Sequence, residues 1–159
     1  RGDCGIVWRP RDGRRGTKGF QEMASEAKKG SRMSTIESSP HFSREEFACS
    51  FTNNCAMDLE MVEKLEVLRE EFGQPMRLSS AYRDPKLHPR ERLKPNGPGY
   101  HGKGMAVDVL IYGADAIRLL KLAIKHGFNG IGINQKNDFS QRFIHLDTRN
   151  PEKSAIWSY

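Results

Sequence analysis

The stretch His101-Gly102-Lys103-Gly104-Met105-Ala106-Val107-Asp108-Val109-Leu110 decides how this chain is read. From Met105 to Ile111 every residue is apolar except one carboxylate, Asp108. Such a run reads as a buried strand, and a buried carboxylate is costly unless it is paired or binds a metal. Gly102 and Gly104 let the backbone come close to another group just before the strand. His101 ahead of the strand and Asp108 within it could converge on one ion. Imidazole nitrogen and carboxylate oxygen together suit zinc.

Toward the C-terminus, Phe143-Ile144-His145-Leu146-Asp147 alternates. Strand geometry places His145 and Asp147 on one face and Ile144 and Leu146 on the other, so a polar face lines a cleft and an apolar one packs. His145 would be the third protein ligand that a catalytic zinc usually has, with a position left open for water. Asp147 is the first candidate for a catalytic base, with support of a ligand as its other reading. Asp138 and Glu152 could reach the same place from loops.

Toward the N-terminus, Ser80-Ala81-Tyr82-Arg83-Asp84 carries a strand into a long loop, Asp84 to Gly99. That loop holds four of the eight prolines, and long loops inside compact domains are usually functional. An arginine at its start can clamp a carboxylate or stabilise an oxyanion. Taken singly these signals are weak, because a lone histidine on a strand is more often structural and a lone arginine more often makes a surface pair. His41 and His88 have weaker contexts still, and His126 beside Gly127 suits the negative end of a helix dipole.

The remaining pattern sets these segments in a domain. Ser43 and Glu46 form a capping-box signal. Leu59, Val62, Leu65, Leu68 and Phe72 recur at spacings of three and four, which predicts a helix over Met57 to Phe72, closed by Gly73-Gln74-Pro75. A strand over Met76 to Tyr82, a helix over Ala114 to His126 and a strand over Gly130 to Ile133 complete the order. The expectation is an α+β domain over residues 39–159, with helices packed on a small, mostly antiparallel sheet. Residues 1–38 read as a basic N-terminal extension rich in Gly, Arg, Lys and Ser.

The net charge of +6 lies mostly in that extension, whose first 32 residues carry nine basic and four acidic side chains. A basic arm could hold nucleic acid, anionic lipid or an anionic wall polymer. Nucleic acid is the least favoured, since the basic residues lack interleaved aromatics. No apolar run reaches the length of a membrane span. Cys49 and Cys55 are close enough in sequence to pair, leaving Cys4, and three reduced thiols are the equal alternative.

Five motifs in order resemble the D-Ala-D-Ala carboxypeptidase family of zinc peptidases: Ser80-Ala81-Tyr82-Arg83, His101 to Asp108, Gly127 to Gly132, Phe143 to Asp147, and Trp157. The resemblance spans about Phe42 to Tyr159. It implies the hedgehog/DD-peptidase fold, Zn2+ held by His101, Asp108 and His145, and Arg83 in contact with substrate and developing oxyanion. Ser80, Tyr82 and Trp157 are expected to line the substrate site. The implied substrates are peptidoglycan stem peptides cut at D-Ala-D-Ala or L-Ala-D-Glu, with Lys86, Arg90, Arg92 and Lys94 facing their carboxylates. Members of this family also serve phages, so a virion-borne or lysis enzyme acting outside the cytoplasm is expected, with the basic arm docking to other phage proteins. Two positions depart from the pattern. Arg142 stands where several relatives place a carboxylate base and Phe143 where others place a histidine. The alternative they leave open is a zinc-holding, catalytically weak or inactive wall-binding or structural module.

Overall fold

The computed structural model describes Ile6–Val7 and residues 35–159. The rest of the basic extension, including Cys4, lies outside the described residues. The centre of the molecule is a five-stranded sheet of β4 (Arg77–Ser80), β5 (Ala106–Leu110), β7 (Phe143–Asp147), β6 (Gly130–Asn134) and β8 (Ala155–Ser158), in that spatial order. All neighbours are antiparallel except β6 and β8. A smaller sheet pairs β1 (Ile6–Val7) with β2 (Thr35–Ser38) and β2 with β3 (Met57–Asp58). The helices are α1 (Arg44–Phe47), α2 (Leu59–Phe72) and α3 (Gly113–Lys125). The fold is the α+β arrangement that the pattern predicts.

Each helix starts where its cap allows. Ser43 and Glu46 form the reciprocal capping box of α1. The expected start of α2 at Met57 moves to Leu59, because Asp58 accepts the Met61 N–H at 3.1 Å as N-cap and Met57 pairs in β3. Gly73 and Gly127, at φ of 70° and 72°, occupy the left-handed conformation that ends α2 and α3.

One face of the sheet and the inner faces of α2 and α3 make the core. Val107, Val109, Ile144, Leu146 and Ile131 from the strands pack with Val62, Leu65, Leu68, Leu119 and Ala123. Each such side chain, buried to 5% exposure or less, contributes on the order of 1.5–3 kcal/mol for the larger aliphatics. Within the segment read as an extension, Thr35–Ser38 is a strand, and Ile36 reaches the core. Residues 39–41 are fastened to α2 by the buried Glu66, which accepts from Ser39 Oγ (2.6 Å), His41 N (3.0 Å) and His41 Nδ1 (2.6 Å). Cys49 and Cys55 are free thiols. Burial and the nearby Glu37 carboxylate push the Cys55 thiol up to about 11.

The loop from Asp84 to Gly104 is built around two carboxylates. Asp84 accepts from the backbone of Lys86 and Leu87 and from Asn54 Nδ2. Glu91, with its side chain fully buried, accepts from Lys94 Nζ and Gly99 N, both at 2.8 Å. The loop is therefore an ordered wall that ends in the turn bearing His101. Among the described residues no helix is long and apolar enough to cross a membrane.

Candidate metal centre

The register of the sheet builds the site. Ser80 lies opposite Asp108, Asp108 opposite His145, His145 opposite Gly132, and Gly132 opposite Trp157. One row crossing all five strands thus carries a hydroxyl, a carboxylate, an imidazole and an indole. The adjacent row carries Ala106, Asp147, Gly130 and Ala155. Both glycines make room for these side chains. A Cβ at Gly130 would overlap the Asp147 carboxylate, and one at Gly132 would sit 2.7 Å from the Trp157 ring.

His101 comes to this row from its turn. Its Nε2 lies 3.1 Å from His145 Nδ1 and 3.2 Å from Asp108 Oδ1, and His145 Nδ1 lies 2.8 Å from the same oxygen. All three residues are 5–6% exposed. The outer nitrogen of each histidine faces an acceptor: His101 Nδ1 the Ala81 carbonyl at 2.7 Å, and His145 Nε2 the Asp147 Oδ2 at 3.0 Å. Each outer nitrogen therefore carries the proton of a neutral ring, which turns a lone pair inward. Two imidazole lone pairs and a carboxylate oxygen then face each other at repulsive range unless a proton or a metal ion lies between them. Tetrahedral zinc with bonds of about 2.0–2.1 Å separates its ligand atoms by roughly 3.3 Å. The three edges here are shorter by a few tenths of an ångström, so the residues fit such an ion with a small expansion.

The electrostatics agree. Burial would raise the Asp108 carboxyl, but hydrogen bonds with His101 and His145 outweigh it and hold it well below the carboxylate range. Burial would lower the His145 ring, yet its bonds to Asp108 and Asp147 raise it. Without a metal these contacts keep Asp108 a carboxylate and favour a proton between it and His145, in the place that a metal ion would take.

Other expected residues lie close by. Arg83 donates from its terminal nitrogen to Asp108 Oδ2 at 2.8 Å and from Nε to Ser80 Oγ at 2.9 Å. The carboxylate is thereby oriented so that Oδ1 faces the histidines. Ser80 and Arg83 line a cleft of about 490 Å³ with Asp108, Phe143, Phe51, His88 and Arg90. Tyr82 lines a neighbouring cleft, and its backbone N–H donates to Phe47 O at 3.0 Å. Trp157 packs its ring 5.2 Å from that of His145.

Asp147 lies at the outer nitrogen of His145, on the side away from the three converging atoms. It is fully buried, and Arg149 donates to both of its oxygens at 2.8 and 2.6 Å. Burial would raise its carboxyl, but the bonds from Arg149 and His145 bring it down to about 2. Asp138 caps the short 3-10 turn Phe139–Gln141 through Ser140, and Glu152 sits exposed in a second such turn. Neither lines the cleft. Of the four loop cations expected to face substrate, Arg90 lines it, while Lys94 is held by Glu91. His126 pairs with Glu71 at 2.7 Å at the end of α3.

The sequence pattern gives little sign of Arg149, Tyr100, Glu91 and His88. His88 stands in a loop without period. Glu91 cannot be told from its charged neighbours, and Arg149 follows Asp147 at a spacing that carries no signal by itself.

No curated protein and no solved structure matches this chain. The profile of the family described as Peptidase M15 matches residues 40–147, more than half of the chain and a span that includes His101, Asp108 and His145. The chain therefore belongs to the peptidase M15 family of zinc-dependent metallopeptidases.

Proposed function

We propose that this protein hydrolyses amide bonds in peptidoglycan stem peptides, at the wall and outside the cytoplasm, with zinc held by His101 Nε2, Asp108 Oδ1 and His145 Nδ1. The observation that carries the reading is the convergence of those three buried atoms, with both outer histidine nitrogens already committed to acceptors. A bound zinc would supply a Lewis acid that polarises the scissile carbonyl and acidifies a water.

The protein's own groups prepare that chemistry. Asp147 holds the tautomer and the orientation of His145, which we propose as its role in place of the base. Arg83 keeps Asp108 in place and offers its remaining N–H groups to a substrate oxygen. His88 Nδ1 accepts the Arg90 backbone N–H at 3.2 Å, so the neutral ring presents Nε2–H as a donor. Burial, and then the charge of Arg83, hold this ring below the usual histidine value, so it is neutral at pH 7. We assign His88 and Arg83 as donors to the oxyanion that develops as the amide is attacked. Arg90 suits a carboxylate on the substrate.

A second reading rests on one observation. Among the described residues lining the cleft Asp108 is the sole carboxylate, and it belongs to the metal cluster. A module that binds stem peptides through the same cleft without turnover would need no base, and could serve as a structural part of a phage particle.

Digestion of purified muropeptides, read by mass spectrometry, separates the two. The expected result is a metal-dependent fragment or mass loss that vanishes with a chelator and in His101→Ala. Unchanged muropeptides, with zinc present in the protein, would refute the hydrolase and leave the binding module.

A further inference from the structure

Arg149 is the most elaborately held side chain near the site, and the chemistry above gives it no task. Its backbone N–H donates to Asp147 Oδ1 at 3.1 Å, its Nε to the same oxygen at 2.8 Å, and its terminal nitrogen to Oδ2 at 2.6 Å. The guanidinium lies 4.8 Å from the Tyr100 ring and 4.9 Å from the Trp157 ring, a cation between two π-faces. Its carbonyl accepts from Asn129 Nδ2 at 3.0 Å. An ion pair built on a fully buried aspartate can stabilise the fold, but stability alone gives no reason for its place. Its location points to a different use. Asp147 Oδ2 is the atom that receives His145 Nε2–H. Tyr100 immediately precedes His101, and the Trp157 ring packs on that of His145.

We propose that Arg149 is a positioning residue of the metal centre, acting through Asp147. Its fork fixes the rotamer of the carboxylate, so that one oxygen meets His145 Nε2 and the His145 Nδ1 lone pair points inward. Its positive charge faces both oxygens of the carboxylate that receives His145 Nε2–H. The Tyr100 and Trp157 rings hold the guanidinium in the plane that this fork requires. Lysine cannot substitute, since a single ammonium gives neither the parallel pair of bonds nor the stacked plane. The inference rests on the metal reading of His101, Asp108 and His145.

The test is a double-mutant cycle on metal binding in the full chain. Zinc affinity is measured by competition with a chromophoric chelator, and the visible spectrum of the Co(II)-loaded protein reports ligand geometry. Arg149→Gln and Arg149→Lys are expected to bind zinc about 10- to 100-fold more weakly, with a changed Co(II) spectrum. In an Asp147→Asn background the further effect of Arg149→Gln should shrink to about twofold, because the route from Arg149 to His145 has already been cut. That double variant also removes the buried charge together with its partner, so it stays measurable if Arg149→Gln alone does not fold. Wild-type affinity and spectrum in Arg149→Lys, or equal effects of Arg149→Gln with and without Asp147, would overturn the proposal. A wild-type chain that binds neither zinc nor Co(II) would instead refute the metal centre, and this inference with it.

Discussion

Replacing Gly104 by alanine should damage this protein far more than the same replacement at Gly113, although both residues have positive φ. Gly104 stands at φ 72° and Gly113 at φ 64°, so each substitution incurs the left-handed penalty of about 1–2 kcal/mol. At Gly113 nothing lies within 4 Å of the added Cβ, and the cost should end there. At Gly104 the Cβ would overlap the Ala56 carbonyl oxygen and lie 2.9 Å from Asp58 N and Met57 Cα. These are backbone atoms, so rotamer changes cannot relieve the clash. Overpacking of this kind adds about 1–3 kcal/mol, and the Asp58 N–H to Gly104 O bond of 3.0 Å would lengthen as the turn moves away from β3. The total is about 2–5 kcal/mol, a large share of the roughly 5–15 kcal/mol that holds a domain of this size. The displaced turn also carries His101, so zinc affinity should fall with stability. Urea unfolding of the metal-free protein, with chelator competition for zinc, measures both. Losses at the two glycines that agree within about 0.5 kcal/mol would show that contact at Gly104 plays no part, and the reasoning would fail.

Two further results are expected. His88→Ala should lower kcat by about 100-fold or more, the usual cost of an oxyanion donor, with little change in KM or zinc content; an unchanged kcat on muropeptides would remove His88 from the chemistry. The second concerns acid. Asp147 titrates at about 2 in the folded protein, below its unfolded value, so its stabilising contribution is complete above about pH 4 and disappears as the pH falls through 2. The lowering corresponds to about 2 kcal/mol. Metal-free wild type should lose that much more stability than Asp147→Asn between pH 5 and pH 2, and parallel pH profiles in urea would contradict the ion pair.

The local signals in this sequence were strong where a single element decides them. The alternation of Phe143 to Asp147 is β7 residue for residue, and the Ser43 capping box and the left-handed Gly73 and Gly127 lie where their chemistry requires. Strand β8 gave no comparable signal. Ala155–Ser158 is short and half exposed, and it exists because it pairs with β6.

For the site, the sequence alone determined which residue types stand on which face: a carboxylate in an apolar strand, a histidine and an aspartate two apart, and a histidine on a glycine turn. Periodicity specifies a face and leaves the register between strands open. Only the tertiary structure aligned Ser80, Asp108, His145, Gly132 and Trp157 in one row. It chose Nε2 of His101 and Nδ1 of His145 by placing acceptors at the other two nitrogens. It also set Asp147 behind His145, between that ring and Arg149. Those choices depend on distances between segments remote in sequence, and a local pattern carries no record of them.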